Sequence, residues 1–88
     1  MELKVNIYST PGCRACAALK QELLNSEYIE FITHIDLTED EESMNLLREK
    51  GVLSAPTIGV FYEDSVDFLV GMRPVSDVDS FIKNIVGR

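Results

Sequence analysis

Apolar and polar residues alternate at the start of the chain. Leu3, Val5 and Ile7 are separated by Lys4, Asn6 and Tyr8. This period of two predicts a strand from Leu3 to Ser9, ended by Thr10-Pro11-Gly12. From Cys13 the period changes. Cys16, Leu19, Leu23 and Leu24 recur at helical spacing, which predicts a helix running to about Asn25-Ser26. Tyr28 to Leu37 is rich in Ile, Phe and Thr and predicts a second strand. Thr38 followed by Glu41 has the form of a capping box, and Glu39, Asp40 and Glu41 suit the positive end of a helix. That helix turns Met44, Leu46, Leu47 and Val52 inward, carries Arg48 and Lys50 in its last turn, and stops at Gly51.

Ala55-Pro56 opens a third strand, Thr57 to Tyr62. Glu63-Asp64-Ser65 turns the chain into a fourth, Val66 to Val70, so the two form a hairpin that ends at Gly71. Ser76 then caps a last helix, in which Val78, Phe81, Ile82 and Ile85 form the apolar stripe. The order is βαβαββα. Strand–helix–strand units require parallel pairing with right-handed crossovers, and the hairpin adds antiparallel strands. The expected fold class is α/β: one domain over residues 1–88, with a four-stranded mixed sheet and helices on both faces.

With 88 residues, the chain supports one core. No apolar run is long enough to span a bilayer. The segment Met1-Glu2-Leu3-Lys4-Val5 lacks the charged and apolar regions of a secretion signal, so the expected location is cytoplasmic. A net charge of −7 argues against nucleic acid and anionic membrane as partners. It fits a dissolved, monomeric protein. The run Glu39 to Glu42 reads as a solvated helix start.

Charge and pattern leave the cysteines as the candidate chemistry. There are two, Cys13 and Cys16. A bridge between them closes so short a loop that it adds little stability through chain entropy, so the pair calls for a chemical role. Cys13 follows a strand and a Pro-Gly turn and stands at a helix start. Free N–H groups and the helix dipole there stabilise a thiolate. Arg14 adds a neighbouring cation. Both effects lower a thiol pKa from about 8.5 into the range of roughly 3.5–7.5. Cys16, nearly one turn on, is placed to attack a mixed disulfide formed at Cys13. A zinc site needs four ligands, and C-x2-C supplies two. There is no second cysteine pair, and His34 is the single histidine. No metal site within one chain is expected, which leaves only a cluster shared by two chains.

Tyr8-Ser9-Thr10-Pro11-Gly12-Cys13-Arg14-Ala15-Cys16 resembles the redox segment of glutaredoxins and the related NrdH-redoxins. Ser54-Ala55-Pro56-Thr57 is similar to the cis-proline loop of that family. Val70-Gly71-Met72-Arg73-Pro74 is similar to its glycine-containing turn. The resemblance covers the whole chain in order. It implies a thioredoxin-like fold and a dithiol oxidoreductase that reduces protein disulfides, with Cys13 as nucleophile and Cys16 as resolving thiol. It also implies a cis bond before Pro56, and a substrate groove lined by Arg14, Ala55, Pro56, Thr57, Gly71, Met72 and Arg73.

The same resemblance implies no permanently bound cofactor and two alternative electron sources: glutathione, or a thioredoxin-reductase-like flavoenzyme. It makes ribonucleotide reductase the leading protein substrate. The chain departs from the glutaredoxin pattern at Thr10, where a lysine is usual, and at Met72, where a second glycine is usual. Asp77 and Asp79 are the acids left to hold the amine of glutathione. Gly71-Met72-Arg73-Pro74 is closer to the turn of NrdH-redoxins, although Val75, Arg14 and Ala15 are not their usual residues. The competing reading is a non-enzymatic interaction domain on the same fold. The intact dithiol argues against it.

Overall fold

The computed structural model describes residues 2–52 and 54–87. Its elements are β1 (Leu3–Ser9), α1 (Arg14–Leu23), β2 (Ile32–Asp36), α2 (Glu41–Glu49), β3 (Thr57–Tyr62), β4 (Ser65–Val70) and α3 (Val75–Val86). The sheet runs in the order β2-β1-β3-β4. β1 pairs parallel with β2, with Ile7 opposite His34, and antiparallel with β3, with Tyr8 opposite Thr57. β3 and β4 form the expected hairpin. Glu63 takes the left-handed conformation at its turn, φ 54°.

The two faces of β1 build two cores. Val5 and Ile7 pack with Leu19 and Leu23 of α1, Val78, Ile82 and Ile85 of α3, and Ile58 and Val60 of β3. Tyr8 packs on the other face with Leu37 and Leu47, flanked by Met44, Val52 and Phe68. Helices therefore cover both faces, as the element order implies, and Asn6 and Tyr8 of the β1 alternation are buried as well, while Lys4 is exposed. Asn6 donates through Nδ2 to the Tyr8 hydroxyl at 3.1 Å. Burial pushes the Tyr8 phenol up from its ordinary pKa.

Four sequence expectations give way, two of them to contacts between distant parts of the chain. β2 begins at Ile32, not Tyr28, because a short 3-10 turn occupies Ile29–Phe31. The Ser26 hydroxyl accepts the Tyr28 N–H at 3.0 Å, and Asp79 of α3 takes the Ser26 hydroxyl and the Glu27 N–H at 2.6 and 3.2 Å. These bonds curl the segment before a ladder can form. Leu24 lies outside the core, 63% exposed, because α1 ends one residue earlier. α2 is capped by Asp40, whose carboxylate accepts the Ser43 N–H at 3.1 Å. Thr38 turns back instead to Asp36, which accepts its N–H and its hydroxyl at 2.9 and 2.6 Å. α3 starts at Val75 with Pro74 at the cap position, so Ser76 sits inside the first turn. The Val75 N–H donates to Glu22 Oε1 at 2.8 Å. A side chain of α1 thus caps α3.

Gly59, at the middle of β3, faces Asn6 of β1 and Phe68 of β4. A Cβ there would stand 2.9 Å from Tyr8 Cε2, 3.2 Å from Phe68 Cε1 and 3.3 Å from Phe61 Cε1. The Tyr8 ring is buried and tethered to Asn6, so it has nowhere to swing. Gly59→Ala is expected to destabilise the fold by about 1–3 kcal/mol, read as a lower urea midpoint with the slope unchanged.

Candidate functional site

The site forms where β1 ends. Thr10-Pro11-Gly12 turns the chain, with Gly12 at φ 76°, and the Cys13 N–H returns to the Thr10 carbonyl at 3.4 Å. Cys13 is then the N-cap of α1, and its Sγ accepts the Cys16 N–H at 3.1 Å. A sulfur in this position receives one of the free amide donors of a helix start, along with the positive end of the helix dipole. Negative charge on Cys13 Sγ is stabilised there by both effects. α1 has no acidic residue in its first turn to oppose them. The two cysteines are joined as a disulfide, with Cα atoms 5.2 Å apart. Cys16 is buried at 7% exposure, whereas Cys13 is half-exposed. The sulfur at the helix start is therefore the one a partner reaches.

A cleft of about 440 Å³ opens beside the disulfide. Its wall is made by Cys13, Arg14, Cys16, Ala17 and Lys20 of the α1 segment, Ser9 at the end of β1, and His34 of β2. Arg14, Ala17 and Lys20 follow one another at three-residue steps along α1. His34 is in register with Ile7, whose side chain lies under α1, and register partners share a face. Lys20 and His34 are the residues the sequence reading missed. The parallel pairing of β1 with β2 is the signal that brings His34 to this cleft.

The remaining expected residues lie at the same end of the sheet, on the other side of β1. The Ala55–Pro56 peptide is cis, as the resemblance implied. Ala55 and Ser54 share a smaller cleft of about 230 Å³ with Thr10, Met44, Leu47 and Arg48. Pro56 and Thr57 have fully buried side chains. The Thr57 hydroxyl donates to the Ser54 carbonyl at 2.6 Å. The Gly71 N–H donates to the Pro56 carbonyl at 2.8 Å, which locks the loop to the turn. Met72 is exposed at 41%, and Arg73 folds back so that Nε and Nη2 both donate to the Val70 carbonyl at 3.3 Å. Asp79, one of the two acids left for an amine, is engaged with Ser26 and Glu27.

Comparison with known proteins agrees with this fold. The family model described as Glutaredoxin matches residues 5–61, a span that holds both cysteines and Pro56 and ends before Gly71. Gene 56 protein of Mycobacterium phage D29 is 31% identical over 78 residues, covering 89% of this chain and 81% of that protein. Among solved structures, chloroplastic thioredoxin z superimposes with a TM-score of 0.78 at 20% identity, covering 98% of this chain and 80% of that one. Oxidised mitochondrial thioredoxin 3 from Saccharomyces cerevisiae gives 0.72 at 20% identity, over 93% and 77%. The reduced C-terminal domain of Neisseria meningitidis DsbD gives 0.73 at 21% identity, over 93% and 79%. These three share the thioredoxin-like fold.

His34 offers a titration that tests the cleft. Desolvation against the cleft wall lowers its pKa from the ordinary 6.5, and the Lys20 ammonium lowers it further. Both act against the imidazolium, so the unfolded chain takes up this proton first. Stability from this group is present above about pH 6.5 and is lost as pH falls through the lower, folded value. An NMR titration of the His34 ring is expected to show a midpoint below that of free histidine. Lys20→Met should raise it part of the way, leaving the desolvation share in place.

Proposed function

Since the chain belongs to the glutaredoxin family and is a thiol–disulfide oxidoreductase, we propose that it reduces protein disulfides, with Cys13 as attacking thiol and Cys16 as resolving thiol. The observation that carries this division is Cys13 Sγ in the N-cap position, accepting the Cys16 N–H at 3.1 Å, above a Cys16 that solvent scarcely reaches. Starting from the reduced pair, the Cys13 thiolate attacks one sulfur of the substrate disulfide. The other substrate sulfur leaves as a thiolate and takes a proton. Cys16 then loses its proton to solvent and attacks Cys13 Sγ, which releases the second substrate thiol. Two electrons and two protons have passed to the substrate, and the Cys13–Cys16 disulfide remains. In this reading Arg14 supports the Cys13 thiolate, and the backbone around Ala55, Pro56, Thr57 and Gly71 offers the rim along which an extended partner segment lies.

Ribonucleotide reductase is the proposed substrate, on the resemblance of Gly71-Met72-Arg73-Pro74 to the NrdH-redoxin turn. The proposed electron source is a flavoenzyme of the thioredoxin-reductase type in preference to glutathione. Glutathione needs local cations and a free carboxylate for its ammonium end. Here Thr10 and Met72 supply neither of the usual features, Asp79 is engaged elsewhere so that Asp77 alone of the two acids is left, and Arg73 folds onto the Val70 carbonyl.

Two experiments test the two levels of this proposal. Incubated with a disulfide substrate, Cys16→Ser should accumulate a mixed disulfide through Cys13, visible by intact mass. Cys13→Ser should accumulate none, and its turnover should be abolished. Equal trapping by both variants would remove the division of roles. For the electron source, the oxidised protein is offered NADPH with thioredoxin reductase, or NADPH with glutathione and glutathione reductase. Faster reduction in the first tube is expected, and the reverse order would return the chain to glutathione.

A further inference from the structure

The cleft beside the disulfide has a sign opposite to the rest of the molecule. The chain carries a net charge of −7, yet the cleft wall contains Arg14, Lys20 and His34 and no carboxylate. The acids of the elements that form it direct oxygens to donors outside the cleft wall. Glu22, the single acidic residue of α1, accepts the Val75 N–H at 2.8 Å. Asp36, in the hollow that adjoins the cleft at Lys20 and His34, accepts the Thr38 N–H and hydroxyl at 2.9 and 2.6 Å. The ion pair among the described residues is Lys83 with Glu27 at 3.5 Å, so neither Arg14 nor Lys20 is held in one. His34, held toward its neutral form by desolvation and by Lys20, adds a hydrogen-bonding ring to the same wall.

The position of the cleft says which kind of anion fits. Its wall comes from α1, β1 and β2, whereas the Pro56–Gly71 rim belongs to β3 and β4, on the other side of β1. A segment that lies along the rim and presents its disulfide to Cys13 therefore has its far flank over the cleft. Arg14 and Lys20 are six residues apart on one helix, about 9 Å along its axis. That equals roughly three residues of extended chain. A single small anion meets one of the two cations. A longer polypeptide with several carboxylates beside its cysteine meets both.

We infer that the cleft formed by Arg14, Lys20 and His34 is a second docking surface, which selects protein disulfides flanked by an acidic segment. The inference rests on the oxidoreductase reading above and deepens it to a substrate class. The cleft works against the long-range field of the protein. An acidic segment is repelled by the molecule as a whole and is accepted beside the dithiol, which orients the encounter.

The test uses two synthetic peptide disulfides, identical except for a Glu-Glu-Glu or a Lys-Lys-Lys flank next to the cysteine. The rate constant for reduction by the dithiol protein is measured for each at about 0.15 M ionic strength, where charges beyond roughly 8 Å are screened. The unmodified protein is expected to reduce the acidic peptide faster, although net charge alone favours the basic one. Lys20→Glu should lower the acidic-to-basic ratio roughly tenfold, and Lys20→Met should fall between. Lys83→Glu makes the same charge change on α3 and should leave the ratio where it was. Using a ratio cancels any effect of these changes on the intrinsic reactivity of Cys13. Faster reduction of the basic peptide by the unmodified protein would overturn the inference. So would an equal shift from Lys83→Glu, since net charge and not the cleft would then be acting. Either result leaves the oxidoreductase reading intact, whereas failure to reduce both peptides would overturn that reading and this one together.

Discussion

β1 is hydrogen-bonded along both edges and covered on both faces, and the rest of the structure is arranged around that confinement. Val5 through Tyr8 are all buried. Sliding β1 by one residue would exchange Ile7 and Tyr8 between two cores of different shape. The end of β1 is therefore fixed in space, and the turn Thr10-Pro11-Gly12 carries that fixity to Cys13. A sulfur that must sit at a helix start needs such a reference point, because the stabilisation it draws from the amide groups falls off within the first turn. Gly59 belongs to the same constraint. It leaves β3 without a side chain where the Tyr8, Phe61 and Phe68 rings converge, so β3 can lie close to β1 while Tyr8 stays under α2.

The order of elements was legible because the hydrophobic period switches cleanly between two and about three and a half along the chain. The dithiol was legible for a related reason: a C-x-x-C pair directly after a strand and a Pro-Gly turn puts one sulfur at a helix start and the other within its reach, an arrangement that suits exchange chemistry and little else. Element boundaries were less legible, and the cause is specific. The start of α3 is set by Glu22 and the curl before β2 by Asp79, and each acts on a residue 53 positions away or nearly so. Local capping rules favoured Ser76 and Thr38 because both have the right chemistry at the right distance in sequence. A distant carboxylate with better geometry took the α3 start, and the nearer Asp40 took α2. The same contacts decide what is left for a ligand. Asp79 looks available in the sequence and is engaged in the fold. His34 looks isolated in the sequence and is brought beside the dithiol by strand register.

The electrostatics of the site also work at two ranges. Close to Cys13 the helix start acts on the sulfur itself, through the Cys16 N–H at 3.1 Å. Farther out, the carboxylates that outnumber the cations form a diffuse field that keeps the protein dissolved. Between these ranges lies the wall of the cleft, where acids of α1 and β2 are turned to backbone or to a hydroxyl and the cations are not. A protein with a strong negative sign thus presents a locally positive approach to its reactive sulfur.

The reciprocal ties between α1 and α3 have a consequence for motion. Glu22 reaches from α1 to the first amide of α3, Asp79 reaches from α3 to the turn after α1, and Lys83 meets Glu27 across the same seam. The far half of α1 cannot fray without uncapping α3, so these stretches open as one cooperative unit. The first turn of α1 lies outside that seam and holds both sulfurs. It is held instead by the turn at the end of β1, where the Cys13 N–H returns to the Thr10 carbonyl. α1 is therefore anchored twice over, by the sheet at the end that carries the sulfurs and by α3 at the other.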